Sequence, residues 1–123
     1  MNEKRNVLKE KSFDFAVQSI YLYKELAERK KEYVLSKQLL RSGTSIGANV
    51  REAQNAQSDS DFIYKLYVSQ KECDETLYWL ELLKETDFIS EESFTKLHKE
   101  ADEILKILKS SILTVKQRIQ RTK

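Results

Sequence analysis

Apolar residues recur three and four positions apart along most of the chain, the spacing that puts them on one face of an α-helix. The longest run is Phe94, Leu97, Ala101, Ile104, Leu108, Ile112, Val115 and Ile119. It predicts a final helix capped by Ser90, with Glu91 and Glu92 in the first turn, where the helix dipole favours acids. Leu35, Leu39, Ile46, Val50 and Ala53 predict a second helix from Glu32 or Tyr33 to about Ala56. The break Ser58-Asp59-Ser60-Asp61 comes next, and Ser58 or Ser60 would cap a third helix running to about Asp87. Its seam is Ile63, Leu66, Cys73, Leu77 and Leu80, and Phe88-Ile89 follows as a short apolar link. In the first helix, Ser12 is the expected cap, with Asp14 in the first turn. The stripe is Phe13, Val17, Ile20 and Tyr21, then Tyr23 or Lys24, and Ala27; Arg29-Lys30-Lys31 marks its end. Residues 1–11 read as a charged lead-in and residues 12–123 as one bundle. Four long helices with short links favour an all-α, antiparallel, up-down-up-down four-helix bundle.

Composition supports this. There is no proline and only two glycines in 123 residues, too few turn formers for most β-rich folds. The length suits one domain with a core of its own. No run approaches the roughly 20 apolar residues of a membrane span. The lone cysteine, Cys73, allows no internal disulfide, which fits a cytoplasmic protein. The formal net charge of +2 conceals a strong asymmetry. Residues 1–58 carry 11 Lys/Arg against 7 Asp/Glu, residues 59–103 carry 5 against 13, and residues 104–123 carry 6 against none.

Catalytic chemistry finds little support. His98 is the only histidine, and its neighbours Lys96 and Lys99 mark it as a surface residue. Di-iron bundles need a Glu-x-x-His pair on each of two helices, and Thr95 stands where that glutamate would be. Cys73 lies on the core seam without a cationic or histidine neighbour in sequence, so it reads as a small apolar residue. No phosphate-binding loop or dinucleotide fingerprint is present. No cofactor, metal or small-molecule substrate is expected, and no enzyme activity.

Three features bear on binding instead. Gly43 and Gly47, four apart, let another backbone approach closely, either inside the bundle or between subunits. Gln38, Arg41, Ser45, Asn49 and Glu52 form a polar stripe on the second helix, with Lys71, Glu72 and Glu75 facing it from the third. That stripe is a solvated face, a partly buried register-fixing network or, least expected, a ligand site. The pairing of Arg41 with Glu72 or Glu75 is the leading structural expectation. The third helix also carries a second stripe: Tyr64, Tyr67 or Val68, Lys71, Glu75, Tyr78 and Leu82. Either a wide core absorbs it or it is a self-association surface. Two basic groups, Lys30, Lys31, Lys37 and Arg51, and the tail residues Lys109, Lys116, Arg118 and Arg121, are the candidates for contacting RNA or DNA phosphates. The plain alternative for the tail is compensation of the helix dipole.

The stretch Leu39-Leu40-Arg41-Ser42-Gly43-Thr44-Ser45-Ile46-Gly47-Ala48-Asn49-Val50-Arg51-Glu52-Ala53 resembles the signature of the bacterial 23S rRNA-intervening-sequence, or S23-type, proteins. Gln38, Arg41, Ser45, Ile46, Asn49 and Glu52 match its pattern in register, with Val50 for isoleucine. The run Lys71 to Leu80 and the aromatic first helix are also similar, so the likeness covers about residues 12–118. Ala53-Gln54 departs from it where many members place a glycine. The resemblance implies an antiparallel four-helix bundle assembling into ring-like homo-oligomers, often pentamers. It also implies kinship with the accessory protein of diversity-generating retroelements, which is similar in fold and binds nucleic acid through a basic surface. The leading expectation is therefore a non-catalytic homo-oligomer that binds nucleic acid non-specifically. A protein-interaction scaffold with no nucleic-acid role is the alternative.

Overall fold

The computed structural model describes residues 3–121, with side chains from Val7 onward. Four helices follow one another: α1 (Glu3–Lys24), α2 (Leu35–Gln54), α3 (Asp59–Glu85) and α4 (Glu91–Arg121). No strand is present among the described residues. The α3 helix has 27 residues and so spans about 40 Å.

Cross-helix bonds fix the direction of each neighbour. Between α2 and α3, Glu52 meets Lys65, the Ile46 carbonyl meets Ser69, and Ser42 meets Thr76. Numbers fall on one helix as they rise on the other, so the pair is antiparallel. The same holds for α3 and α4, where Arg118 meets Asp59, Cys73 meets Ala101 and Lys84 meets Glu91. It holds for α1 and α4 through Lys11–Glu103 and Gln18–Glu100. Each helix packs on its neighbour in the chain and α4 returns to α1, giving an up-down-up-down bundle with α1 and α3 on one diagonal.

The first helix differs from its expected form in two ways. It begins at Glu3, so Ser12 is no cap; it lies in mid-helix, fully buried, its hydroxyl donating to the Lys9 carbonyl. Residues 3–11, expected as a lead-in, are the first turns of α1. Met1 and Asn2 lie outside the described residues. The buried face is also not the predicted one. Leu8, Ser12, Phe15, Ser19, Leu22 and Leu26 face the core, while Phe13, Ile20 and Tyr21 are exposed and Val17 is half-exposed. The reason is close packing. Two serines sit where large apolar residues would be expected, because α2 brings its glycines against them.

The remaining elements stop where local chemistry stops them. After Lys24, α1 widens into a π-helical turn, Glu25–Arg29, and Lys31 takes a left-handed conformation at φ 56°. Glu32 then closes the N-terminus of α2, its carboxylate accepting from the backbone N–H groups of Val34, Leu35 and Ser36. Ser58 caps α3 by accepting from the Asp61 amide, and Ser90 caps α4 through the Ser93 amide. The α3 helix ends in a Schellman turn: Phe88 N–H reaches the Leu83 carbonyl and Asp87 N–H the Lys84 carbonyl, with Asp87 at φ 64°.

The core runs the length of the bundle, through Leu39, Ile46 and Val50 of α2, Leu66, Cys73 and Leu80 of α3, and Ala101, Ile104, Leu108 and Ile112 of α4.

Candidate functional site

The polar stripe of α2 lies along its junction with α3. Arg41 donates from Nη1 to both carboxylate oxygens of Glu72, at 2.9 and 3.2 Å, and from Nη2 to Glu75 at 3.3 Å. Glu72 is buried, so this charge pair is the one most removed from water. The bond to Glu72, reinforced by both carboxylates, raises the guanidinium pKa above its ordinary value and keeps it charged. Ser45 donates to the Arg41 carbonyl and Asn49 to the Ser45 carbonyl, a chain of bonds down the helix itself. Glu52 pairs with Lys65 of α3. Arg41 and Glu52 tie α2 to α3, while Ser45 and Asn49 bond within α2. Trp79 packs against Tyr78 at a tilt of 57° with centroids 5.2 Å apart, and its buried indole N–H has no hydrogen-bond partner among the described residues.

Gly43 and Gly47 serve the crossing of α1 and α2. A Cβ at Gly43 would lie 2.2 Å from Ser19 Oγ and 2.9 Å from Ser19 Cβ; one at Gly47 would lie 3.1 Å from the Ser12 carbonyl oxygen. Both face α1 of the same chain, the packing inside the bundle that their spacing allowed. The Ser19 hydroxyl donates to the Phe15 carbonyl, so the close approach leaves it satisfied.

Two apolar stripes remain uncovered. On α3, Tyr64 is 61% exposed, Tyr78 is 55% and Tyr67 is 42%, with Val68 and Leu82 half-buried between them. The core does not absorb this second face. On α1, Phe13 is 56% exposed and Tyr21 67%, with Ile20 also exposed and Val17 beside them. Phe13 borders a groove with Lys9, Glu10, Asp14 and Arg51. Sequence periodicity detects the α1 stripe but assigns it to the core. The serines at 12 and 19, set against the glycines at 43 and 47, are the signal that could have turned the helix the right way.

The basic candidates do not meet on one surface. Lys30, Lys31 and Lys37 lie at the end of the bundle where α1 stops and α2 starts. Arg51, Lys109, Lys116, Arg118 and Arg121 belong to the half that holds the end of α2, the start of α3 and the end of α4. Several are already engaged. Lys30 donates to the Phe88 carbonyl at 2.6 Å, Arg118 to Asp59 at 2.7 Å, and Lys116 to the Tyr67 hydroxyl while lying over its ring. Arg51, Lys109 and Arg121 are exposed. Lys123 lies outside the described residues.

The two residues with reactive side chains are occupied structurally. His98 meets Glu81 at 3.2 Å and packs on Phe94. Cys73 is fully buried; burial, with help from the Asp74 and Asp102 carboxylates, pushes its thiol up to about 12. Its Sγ lies 3.2 Å from the Ala101 carbonyl. Among the described residues no group of His, Cys, Asp and Glu could hold a metal ion, and no helix is long and apolar enough to cross a membrane.

Comparison with known proteins follows the fold. A crystal structure of a protein of unknown function from the S23 ribosomal protein family of Bacteroides thetaiotaomicron superimposes with a TM-score of 0.88. It is 54% identical to this chain, and the match covers 89% of this chain and 97% of that one. No curated protein matches. The family model for the 23S rRNA-intervening sequence protein matches residues 4–110. The chain belongs to the 23S rRNA-intervening sequence protein family.

Proposed function

We propose that this protein is a non-catalytic homo-oligomeric bundle, a pentamer by family likeness, that works in the cytoplasm and binds RNA or DNA through phosphate contacts. The observation that carries self-association is the exposed tyrosine stripe of α3, Tyr64, Tyr67 and Tyr78. Large aromatic side chains with polar tips are enriched where protein surfaces meet. Assembly would also repeat the basic end of the bundle around the oligomer, so that a few cations per chain become many.

The nucleic-acid half rests on the exposure of Arg51, Lys109 and Arg121, all in the half of the bundle that includes the α4 C-terminus. Contacts of this kind read no bases and release counterions, so binding should weaken steeply with salt. Single-stranded RNA and duplex DNA titrated into the protein at rising salt test this. Binding at low salt is expected, with a log-linear fall. Each of Arg51→Ala and Arg121→Ala should flatten the slope by about one phosphate's worth. Absence of binding at low salt would favour the alternative, a scaffold for other proteins with no nucleic-acid role.

A further inference from the structure

We propose that the groove between α1 and α4 binds a short peptide with free ends, its ammonium end on Asp14 and its carboxylate end on Lys96 and Lys99.

The groove follows from the way α1 packs. Gly43 and Gly47 let α1 lie close against α2. On its other side, α1 is tied to α4 by long side chains: Lys11 reaches Glu103 at 3.3 Å and Gln18 reaches Glu100 at 2.7 Å. Two hollows of about 370 and 270 Å³ lie between the helices and share Gln18 and Lys96, so they form one groove. Buried Ile104, Leu97 and Leu22 line it from the core side, and Tyr21 stands at one wall. An apolar floor with a few polar groups above it is the usual make-up of a small-ligand site.

Charge then selects the ligand. The two ties give Lys11, Glu100 and Glu103 partners within the chain. Asp14, Lys96 and Lys99 line the same groove, are exposed, and have no ion-pair or hydrogen-bond partner among the described residues. A plain anion would suit the two amines and meet the Asp14 carboxylate as a like charge. A plain cation would suit Asp14 and meet two amines. A molecule with one end of each sign satisfies all three.

Spacing sets its length. The Gln18–Glu100 bond fixes the register of this antiparallel pair. Asp14 lies four residues to one side of that bond, while Lys99 lies one residue and Lys96 four residues to the other. At about 1.5 Å per residue, the acid and the amines stand roughly 7–12 Å apart along the groove. An extended chain covers about 3.3–3.6 Å per residue, so roughly three residues bridge the gap. The Gln18 carbonyl oxygen takes no part in the bond to Glu100 and is placed midway to accept from a peptide N–H. Beyond Lys96 the groove ends at Glu25 and Ser93.

Isothermal titration calorimetry with leucyl-alanyl-leucine, beside its N-acetylated and C-amidated forms, tests the proposal. The wild-type protein should bind one free tripeptide per chain. Each capped form should bind about tenfold more weakly, the effect of losing one charge-assisted hydrogen bond. Asp14→Asn should weaken the free tripeptide by a similar factor and leave the acetylated form unaffected, since variant and cap remove the same contact. Lys96→Gln with Lys99→Gln should do the same for the amidated form. Glu25→Gln, past the amines, should change nothing. All four side chains are exposed, and circular dichroism checks that each variant keeps its helices. The proposal is overturned by no binding at millimolar tripeptide or by capped forms that bind as well as the free one. It is equally overturned by variant losses that do not match the caps, including a loss in Glu25→Gln in place of Asp14→Asn.

Discussion

At the scale of single residues, the molecule depends on a few positions where one atom decides the packing. Arg41 keeps the buried Glu72 carboxylate partnered. Arg41→Met would leave that carboxylate without its charged partner and should cost about 1–3 kcal/mol in chemical denaturation. Glu75→Gln, acting on a more exposed carboxylate, should cost well under that. Gly43→Ala sets two preferences against each other. Alanine gains about 1 kcal/mol of helix propensity. Its Cβ would meet Ser19 Cβ at 2.9 Å, and a Cβ cannot rotate away as the hydroxyl can. Overpacking of this kind costs about 1–3 kcal/mol, so a net loss of stability is expected. Cys73 should be inert to a thiol reagent in the native state and react promptly in denaturant, since burial keeps the thiol protonated. Of these details, the charge pair was legible because Arg41, Glu72 and Glu75 sit on helix faces that must meet. The role of the glycines was open, because spacing alone does not say which backbone approaches.

At the scale of the helices, their order and the seams of α2 and α4 were readable from periodicity, as each has one wide apolar face. The first helix was not. Its large apolar residues face outward, and its core face includes Ser12 and Ser19, which hydropathy counts as polar. Both hydroxyls bond to their own helix backbone, so burying them costs little. The helix ends carry two further expectations. Glu32 is partly desolvated, which pushes its carboxyl up, but the amides of Leu35, Ser36 and Val34 and the Ser36 hydroxyl outweigh this and hold it below the ordinary value of 4.5. A carboxyl lowered on folding contributes stability that is fully present above its unfolded pKa and is lost as pH falls through the folded one. Wild type should therefore lose this contribution on acidification below 4.5, and Glu32→Gln should lack that part of the acid dependence. Asp87 holds φ 64° at the end of α3, a conformation glycine adopts without penalty. Asp87→Gly should raise stability by about 1 kcal/mol, seen as a higher melting temperature.

At the scale of the whole molecule, an up-down-up-down bundle covers the inner faces of its four helices and leaves the outer faces of α1 and α3 with exposed aromatic residues. The α3 stripe was legible in the sequence because that helix has more large apolar residues than one seam needs. Where the basic residues would gather was not legible, since it depends on which helix ends share a side of the bundle. Lys37 and Arg51 lie 14 residues apart on α2, about 21 Å along its axis, and so belong to opposite ends. Function at this scale follows from whether copies meet. The mass of the native wild-type protein, measured by sedimentation velocity over a wide concentration range, decides that. A discrete species several times the 14.5 kDa chain is the expected result. A helical protein that still sediments as a 14.5 kDa monomer at the highest concentration would contradict it.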